Sequence, residues 1–336
     1  MSLKAGIVGL PNVGKSTLFN AITKKHILAA NYPFATIEPN VGVVTVPDTR
    51  LDYLVSLYNP KSTVPTTFEF IDIAGLVSGA SNGEGLGNKF LSHIREVDAI
   101  VEVVRCFDDE NITHVEGVTD PIRDIEIINT ELILADLEIA VNRLGKIEKK
   151  AETTKDKEAI LEVNILKKIK DNLEKSIPLR LIDFTDDELL IIKNFNFITL
   201  KKVIYVANVD EISASVGDNN YSLTLKEYAE KENASVVVMC AKLESELADL
   251  EDEERINFLS EVGITNSGLD KLIFATYDLL GLATFFTSGT DECRAWTFKK
   301  GMKAPECAGI IHSDFEKGFI KAEVISFMDL EMQVVN

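Results

Sequence analysis

The run Gly9-Leu-Pro-Asn-Val-Gly14-Lys15-Ser16 constrains the fold of this chain more than any other feature. It follows the apolar stretch Ala5–Val8 directly and runs into a helical segment, Thr17–Thr23, the strand, loop and helix context that a phosphate-binding loop requires. The glycines let the backbone wrap a phosphate chain with its N–H groups, and the helix N-terminus adds a favourable dipole. Asn12, Val13, Gly14, Lys15, Ser16 and Thr17 are therefore candidate nucleotide contacts. Lys15 is suited to bridge the β- and γ-phosphates and act catalytically, and the Ser16 hydroxyl to ligate Mg²⁺.

A loop of this kind belongs in an α/β domain, and the surrounding pattern agrees. Short β-branched runs at Ala5–Val8, Val41–Val46, Thr67–Ile73, Ala99–Val104, Val203–Asn208 and Val236–Cys240 alternate with helical stretches, which predicts a doubly wound, mainly parallel sheet. The last two runs lie far from the fourth, and everything between them is helical in character. An insertion is expected there. Ile133, Leu137, Ala140, Leu144 and Ile147 recur at alternating steps of four and three, the spacing of a coiled-coil seam. The polar stretch Lys149–Lys157 reads as a tip, and Leu166, Ile169 and Leu173 resume the spacing on a returning helix. This is the pattern of an antiparallel helical arm, or of an ordinary pair of surface helices packed flat on the sheet. Thr185 with Glu188 forms a capping box that opens another helix.

A third unit follows Leu280, with strands expected at Ala283–Thr287, Arg294–Phe298 and Phe319–Phe327 around a short helix near Pro305–Ile311. The expected division is a nucleotide-binding domain at 1–128 and 200–280, a helical coiled-coil insert at 129–199 and a C-terminal unit at 281–336.

Asp72-Ile-Ala-Gly75 closes the third strand, where the carboxylate is placed to hold Mg²⁺ through water and the Gly75 N–H to meet the γ-phosphate. Thr36, in the loop before the second strand, is the natural second hydroxyl ligand of the metal, in a segment that closes over a γ-phosphate. Leu76 stands where Ras-type GTPases carry the glutamine that orients water. Leucine cannot polarise water, so catalysis has two candidate substitutes. Asn12 offers a side-chain oxygen for a monovalent cation such as K⁺ beside the β- and γ-phosphates, or it simply stabilises the turn. His114, in the loop after the fourth strand, offers an imidazole to position water, or it is a solvated loop residue.

Asn208-Val209-Asp210-Glu211 occupies the place of the Asn-Lys-x-Asp guanine-reading motif. Glu211 is one methylene longer than the aspartate that accepts from guanine N1–H and the 2-amino group, and Val209 replaces the lysine that packs along the base. A site without that carboxylate geometry loses its ground for rejecting adenine. Asn208 still reaches the N7 or 6-amino edge, and Cys240-Ala241-Lys242 completes the set as a variant of the Ser-Ala-Lys loop beside the base.

The four cysteines, Cys106, Cys240, Cys293 and Cys307, lack the close spacing of a metal knuckle or redox pair. No apolar run approaches the roughly eighteen residues of a membrane helix, and no signal peptide is expected at the N-terminus, so the expected location is the cytoplasm, with no membrane partner. A net charge of −19 argues against general polyanion binding. Any nucleic-acid contact needs a local basic face, and the arm tip with Lys146, Lys149, Lys150, Lys155 and Lys157 is either that face or, diluted by Glu148, Glu152, Asp156 and Glu158, a solvated charged tip.

These residues, with Gly79, Gly83-Glu-Gly-Leu-Gly87-Asn-Lys-Phe-Leu and His93-Ile, resemble the Obg-related GTPases. The Asn-x-x-Glu variant, the long helical insert and the stretches Arg294-Ala-Trp296-Thr and Asp314-Phe-Glu-Lys-Gly-Phe319 narrow the resemblance to the Obg-like ATPases, the YchF branch. That resemblance implies a nucleotide domain, a coiled-coil arm and a C-terminal TGS domain of β-grasp form, with ATP preferred over GTP, Mg²⁺ dependence and association with the ribosome, through its RNA and protein; a monomer is expected. The chain ends before the final TGS strands, so that domain is expected to be incomplete. Two readings follow, a slow ATPase switch, favoured by Lys15, Ser16, Thr36 and Asp72, and a non-catalytic nucleotide-sensing module, favoured by Leu76.

Overall fold

A computed structural model of the chain describes residues 3–29, 40–73, 86–261, 264 and 267–335. Thr36, Gly75, Leu76, Gly79 and the glycine-rich run from Gly83 to Gly85 lie outside them. Along the chain run β1 (Lys4–Val8), α1 (Lys15–Ala29), β2 (Val41–Thr45), α2 (Thr49–Tyr58), β3 (Ser62–Val64), β4 (Thr67–Asp72), α3 (Leu86–Glu96), β5 (Ala99–Arg105), α4 (Pro121–Thr154), α5 (Lys157–Leu173), α6 (Asp186–Ile192), β6 (Lys202–Asn208) and α7 (Glu211–Val216). Then come α8 (Asn220–Lys231), β7 (Ser235–Met239), α9 (Ala241–Leu247), α10 (Asp252–Glu261), α11 (Gly268–Leu279), β8 (Leu282–Thr287), β9 (Glu292–Lys299), α12 (Ala304–Ile311), α13 (Ser313–Lys317) and α14 (Phe327–Val335).

Among the described residues six strands form one sheet in the order β2-β4-β1-β5-β6-β7. β1 pairs in parallel with both β4 and β5, and β6 with both β5 and β7. Buried on both faces, β5 and β6 are mainly apolar without alternation, and β5 carries the buried charged residues Glu102 and Arg105 within the sheet. The sequence order turns outward in both directions from β1, so the crevice above the carboxyl ends of β1 and β5 is the topological switch point where such sheets bind ligands.

Two compact units divide the chain. The first comprises residues 1–44 and 69–276, and the second residues 45–68 and 277–336. In the second, β3, β9 and β8 make a small mixed sheet, with β3 parallel and β8 antiparallel to β9. Leu51, Leu54, Cys293 and Ala295 form its buried core, and the Arg50 guanidinium lies 5.0 Å over the Phe286 ring.

The strand expected at Phe319–Phe327 is not formed. Residues 319–326 lack regular structure, and Phe327 opens α14. Ser326 and Asp329 explain the difference: the Ser326 hydroxyl accepts the Asp329 N–H at 3.2 Å and donates to the Asp329 carboxylate at 2.6 Å. This local cap competes with the strand propensity of the preceding residues, which pair with no strand among the described residues.

The helical insert belongs to the first unit. Asp120 caps α4 by accepting the Ile122 and Arg123 N–H groups, and Pro121 sits in the first turn, where its missing donor costs nothing. The helix runs 34 residues without a break. Its first part packs Ile125, Ile128 and Leu132 against the domain core, so the division expected at residue 129 falls inside a continuous helix. Beyond it, Ile133, Ala140, Ile147 and Ala151 pack with Ala159, Val163, Leu166, Ile169 and Leu173 of α5, and Leu137 and Leu144 lie against the same cluster. The heptad spacing thus marks the buried seam of a helical hairpin. The turn is tighter than the polar run suggested, since only Lys155, in the left-handed region, and the α5 cap Asp156 separate the helices.

A buried polar knot fixes the root of this hairpin. Arg180 donates to Asn129 of α4 and to Glu232 after α8, both at 3.0 Å, while Tyr205 and Tyr228 donate to the same Glu232 carboxylate. Glu102 of β5 lies in the same electrostatic neighbourhood, and burial pushes its carboxyl from 4.5 up to about 8. Asp136 of α4, fully buried, accepts the Ile198 and Thr199 N–H groups and the Thr199 hydroxyl.

Candidate functional site

The loop between β1 and α1 bends at two left-handed residues, Asn12 (φ 63°) and Gly14 (φ 95°). Gly14 is required twice over. Its φ disfavours any side chain, and a Cβ there would lie 2.1 Å from Asn208 Nδ2. Lys15 is nearly buried at the start of α1, and its ammonium bonds the Asp72 carboxylate at the end of β4. The register explains the meeting, because Asp72 stands opposite Ile7 of β1, just before the loop begins.

Asn208 joins the phosphate loop to the base side. Its Nδ2 donates to the Val13 carbonyl at 2.8 Å, and its Oδ1 accepts the Ala241 N–H at 2.9 Å. The side chain is buried and largely committed to this brace. The amide carries a second N–H beyond the one given to Val13. Val209 is buried as well, its N–H bonded to the Met239 carbonyl, whereas Glu211 and Lys242 form an exposed ion pair at 2.8 Å across the opening. Cys240 lies at the start of α9, and burial raises its thiol above the ordinary range.

A cleft of about 730 Å³ unites these pieces. Asn12, Gly14, Thr17, Asn208, Val209, Glu211, Cys240, Ala241 and Lys242 line it, as do Phe107, Asp108, Asp109 and Ile112. A smaller recess beside it, lined by Asn12, Gly14, Lys15, Ser16 and Thr17, is the phosphate end. Residues 107–112 carry no motif in the sequence, and their place after the strand next to β1 is where the crevice rule puts ligand contacts. Arg105 shapes their loop: the buried guanidinium donates to the carbonyls of Phe107 at 3.1 Å and Ile112 at 3.0 Å, and lies 4.6 Å over the Phe107 ring.

His114 is not a solvated loop residue. Its ring is buried, Nε2 lies 2.8 Å from Asp124 Oδ2, and Nδ1 accepts the Glu116 N–H at 3.0 Å. The preceding residue touches the phosphate loop, since Asn12 Nδ2 donates to the Thr113 carbonyl at 3.1 Å. The two candidates for the missing glutamine are therefore linked through adjacent residues.

The donor chemistry fits a Mg²⁺ nucleotide. Ser16 is exposed in the phosphate recess, and the part-exposed Asp72 supplies a hard carboxylate oxygen beside Lys15. The left-handed bends and the α1 N-terminus form an anion cradle above the switch point of the sheet. Fold and site together define a P-loop nucleotide-binding protein. Residues 4–143 match the family described as 50S ribosome-binding GTPase, and residues 282–335 match the YchF GTPase C-terminal family, described as a protein of unknown function. The chain is 61% identical over 332 residues to the ribosome-binding ATPase YchF of Bacillus subtilis, covering 98% of this chain and 90% of the relative. The counterpart in Escherichia coli O157:H7 is 53% identical over 329 residues, with the same coverage. Among solved structures, the YchF GTPase of Schizosaccharomyces pombe superposes with a TM-score of 0.89 at 43% identity, over 98% of this chain and 89% of that one. The chain belongs to the YchF family, in the Obg-related group of P-loop GTPases.

Proposed function

We propose that the chain is a Mg²⁺-dependent nucleoside triphosphatase that prefers ATP to GTP and works as a nucleotide-controlled switch on the ribosome. The observation that carries this reading is the brace at Asn208, which joins the phosphate loop and the base-side loop into one cleft. Lys15 would hold the β- and γ-phosphates, with Ser16, Thr36 and Asp72 serving Mg²⁺, which supplies charge neutralisation on the phosphoryl oxygens when bound. Gly75 would donate its N–H to the γ-phosphate. Asn12 serves the phosphates and a K⁺ ion, and His114 orients the attacking water in place of the glutamine that Leu76 replaces.

Base choice follows from what the opening lacks. Adenine presents an acceptor at N1 and no 2-amino group, so it does not need the short aspartate of the guanine-reading motif. Glu211 is longer, and its carboxylate is drawn to Lys242 instead. Asn208 keeps one N–H for the base N7, and Val209, Cys240, Ala241 and Lys242 border the ring.

The arm is read as the ribosome-facing element of a cytoplasmic monomer. Lys146, Lys149, Lys150, Lys155 and Lys157 are exposed around its tip, and Glu148 is paired with Lys167 at 2.7 Å, which leaves it a weaker diluent of the local positive charge. A positive projection on a strongly acidic protein orients its encounter with RNA. The mixed sheet of β3, β9 and β8 is read as part of a TGS-type β-grasp unit. The proposed functional division is 1–128 with 200–280, 129–199 and 281–336, although residues 45–68 lie in the same compact unit as residues 277–336 and residue 129 lies inside α4.

Calorimetric titration with ATP, GTP and their diphosphates, together with turnover measured with and without ribosomes, tests the reading. Tighter ATP than GTP binding and ribosome-stimulated hydrolysis are expected. Tighter GTP binding removes the base assignment, and no turnover with ribosomes turns the protein into a nucleotide-sensing module. The double variant Val209→Lys with Glu211→Asp restores the guanine-reading pattern and should move preference toward GTP by about 1–3 kcal/mol, the worth of a bidentate base contact.

A further inference from the structure

The arm and His114 meet at one hydrogen bond. Asp124 lies in the first turn of α4, the helix whose far end is the arm, and its carboxylate and the His114 ring are each 4% exposed. Because Nδ1 accepts the Glu116 N–H, the proton of the neutral ring sits on Nε2 and is donated to Asp124. The second Asp124 oxygen accepts from the Arg123 guanidinium at 3.1 Å, which also donates to the Val118 carbonyl at 2.6 Å. A ring held this way has no lone pair to offer a water molecule. Meanwhile the neighbouring Thr113 carbonyl is held by Asn12 of the phosphate loop. Residues 113 and 114 are thus gripped by the nucleotide loop on one side and by the root of the arm on the other.

We propose that Asp124 is a positioning residue that stores His114 away from the reaction, and that displacement of the first turn of α4 releases it. The proposal rests on the catalytic reading of His114 given above. A continuous helix of 34 residues carries a load applied at the arm to its own first turn. Basal turnover is then set by the small fraction of molecules in which the bond is open, and an arm-bound ribosome raises that fraction. The same bond also explains how a residue with both ring nitrogens engaged serves a reaction at the neighbouring loop: it acts only in the released state.

The test uses the full chain with Asp124→Ala and Asp124→Asn, each alone and combined with His114→Ala. Losing a charge-assisted hydrogen bond should raise ribosome-free ATP turnover about tenfold in Asp124→Ala, with the remaining stimulation by ribosomes reduced by the same factor. Asp124→Asn keeps an acceptor and should gain about threefold, which covers the case where the alanine variant does not fold. His114→Ala should erase either gain. In nitrogen-15 NMR of the imidazoles, one of the four histidines should show a slowly exchanging Nε2–H and an unprotonated Nδ1, and Asp124→Ala should abolish that signature. A folded variant with wild-type ATP affinity and no faster turnover overturns the proposal, and so does a gain that survives His114→Ala. His114→Ala with wild-type turnover on ribosomes overturns the catalytic reading itself. Failure of the latch alone looks different: His114→Ala is slow, yet neither Asp124 variant is fast.

Discussion

The nucleotide cleft and the helical arm belong to the same compact unit but are held together in opposite ways. In the cleft, single polar side chains brace backbone from distant parts of the chain: Asn208 ties Val13 to Ala241, and Lys15 meets Asp72. In the arm, a repeated apolar seam between two consecutive helices does the work, with Ala140, Leu166 and Ile169 fully buried. The cleft therefore depends on a few contacts that cannot be exchanged, and the arm on many that can. A polar brace left half-made exposes a buried donor or acceptor without a partner, whereas a trimmed apolar side chain leaves a cavity of graded cost.

The largest effect should come from Lys15→Ala, which removes the one charged residue that lines the phosphate recess among the described residues. ATP affinity should fall by at least about a hundredfold in calorimetry, with the arm unaffected. Near-normal ATP turnover in that variant would break the comparison at its root, because the cleft would then not depend on a single contact.

Next is Leu166→Ala in the seam, expected to cost about 2–5 kcal/mol in chemical denaturation. Calorimetry should find ATP affinity unchanged. A matching loss of ATP affinity would mean that the two regions are one energetic unit.

Gly14→Ala sharpens the cleft side. The left-handed strain should cost about 1–3 kcal/mol, and the new methyl group would displace the Asn208 amide that approaches Gly14. Thermal melts of the nucleotide-free protein should therefore drop, and ATP affinity should drop with them, whereas an equivalent glycine change at the open position Gly145 of the arm should do neither.

The smallest effect lies at the border of the two regions. Glu102 carries a carboxyl raised from 4.5 to about 8 by burial, so its neutral form is favoured in the folded chain. Its contribution is fully present below 4.5 and is lost as pH rises through about 8. Urea midpoints measured across that window should decline less steeply for Glu102→Gln than for the wild type. An identical decline would assign the pH dependence to other groups of the Arg180 knot.

Where the governing pattern is local, the sequence alone was sufficient. The phosphate loop was read from eight contiguous residues, the arm seam from its alternating steps, and the Thr185 capping box from two residues three apart, whose reciprocal bonds are present in α6. The same kind of signal stands at Ser326 and Asp329, where a local cap prevails over strand propensity. What the tertiary structure decided are the partnerships of polar groups far apart in the chain. Nothing near His114 indicates that Asp124 and Glu116 will occupy both ring nitrogens, nothing near Asn208 that its amide will be spent on Val13 and Ala241, and nothing near Phe107 that Arg105 will fold its loop into the cleft. Periodicity and capping depend on neighbours three or four residues away, which the sequence displays. A buried polar bond depends on which strands lie side by side, and the order β2-β4-β1-β5-β6-β7 exists only once the sheet has formed.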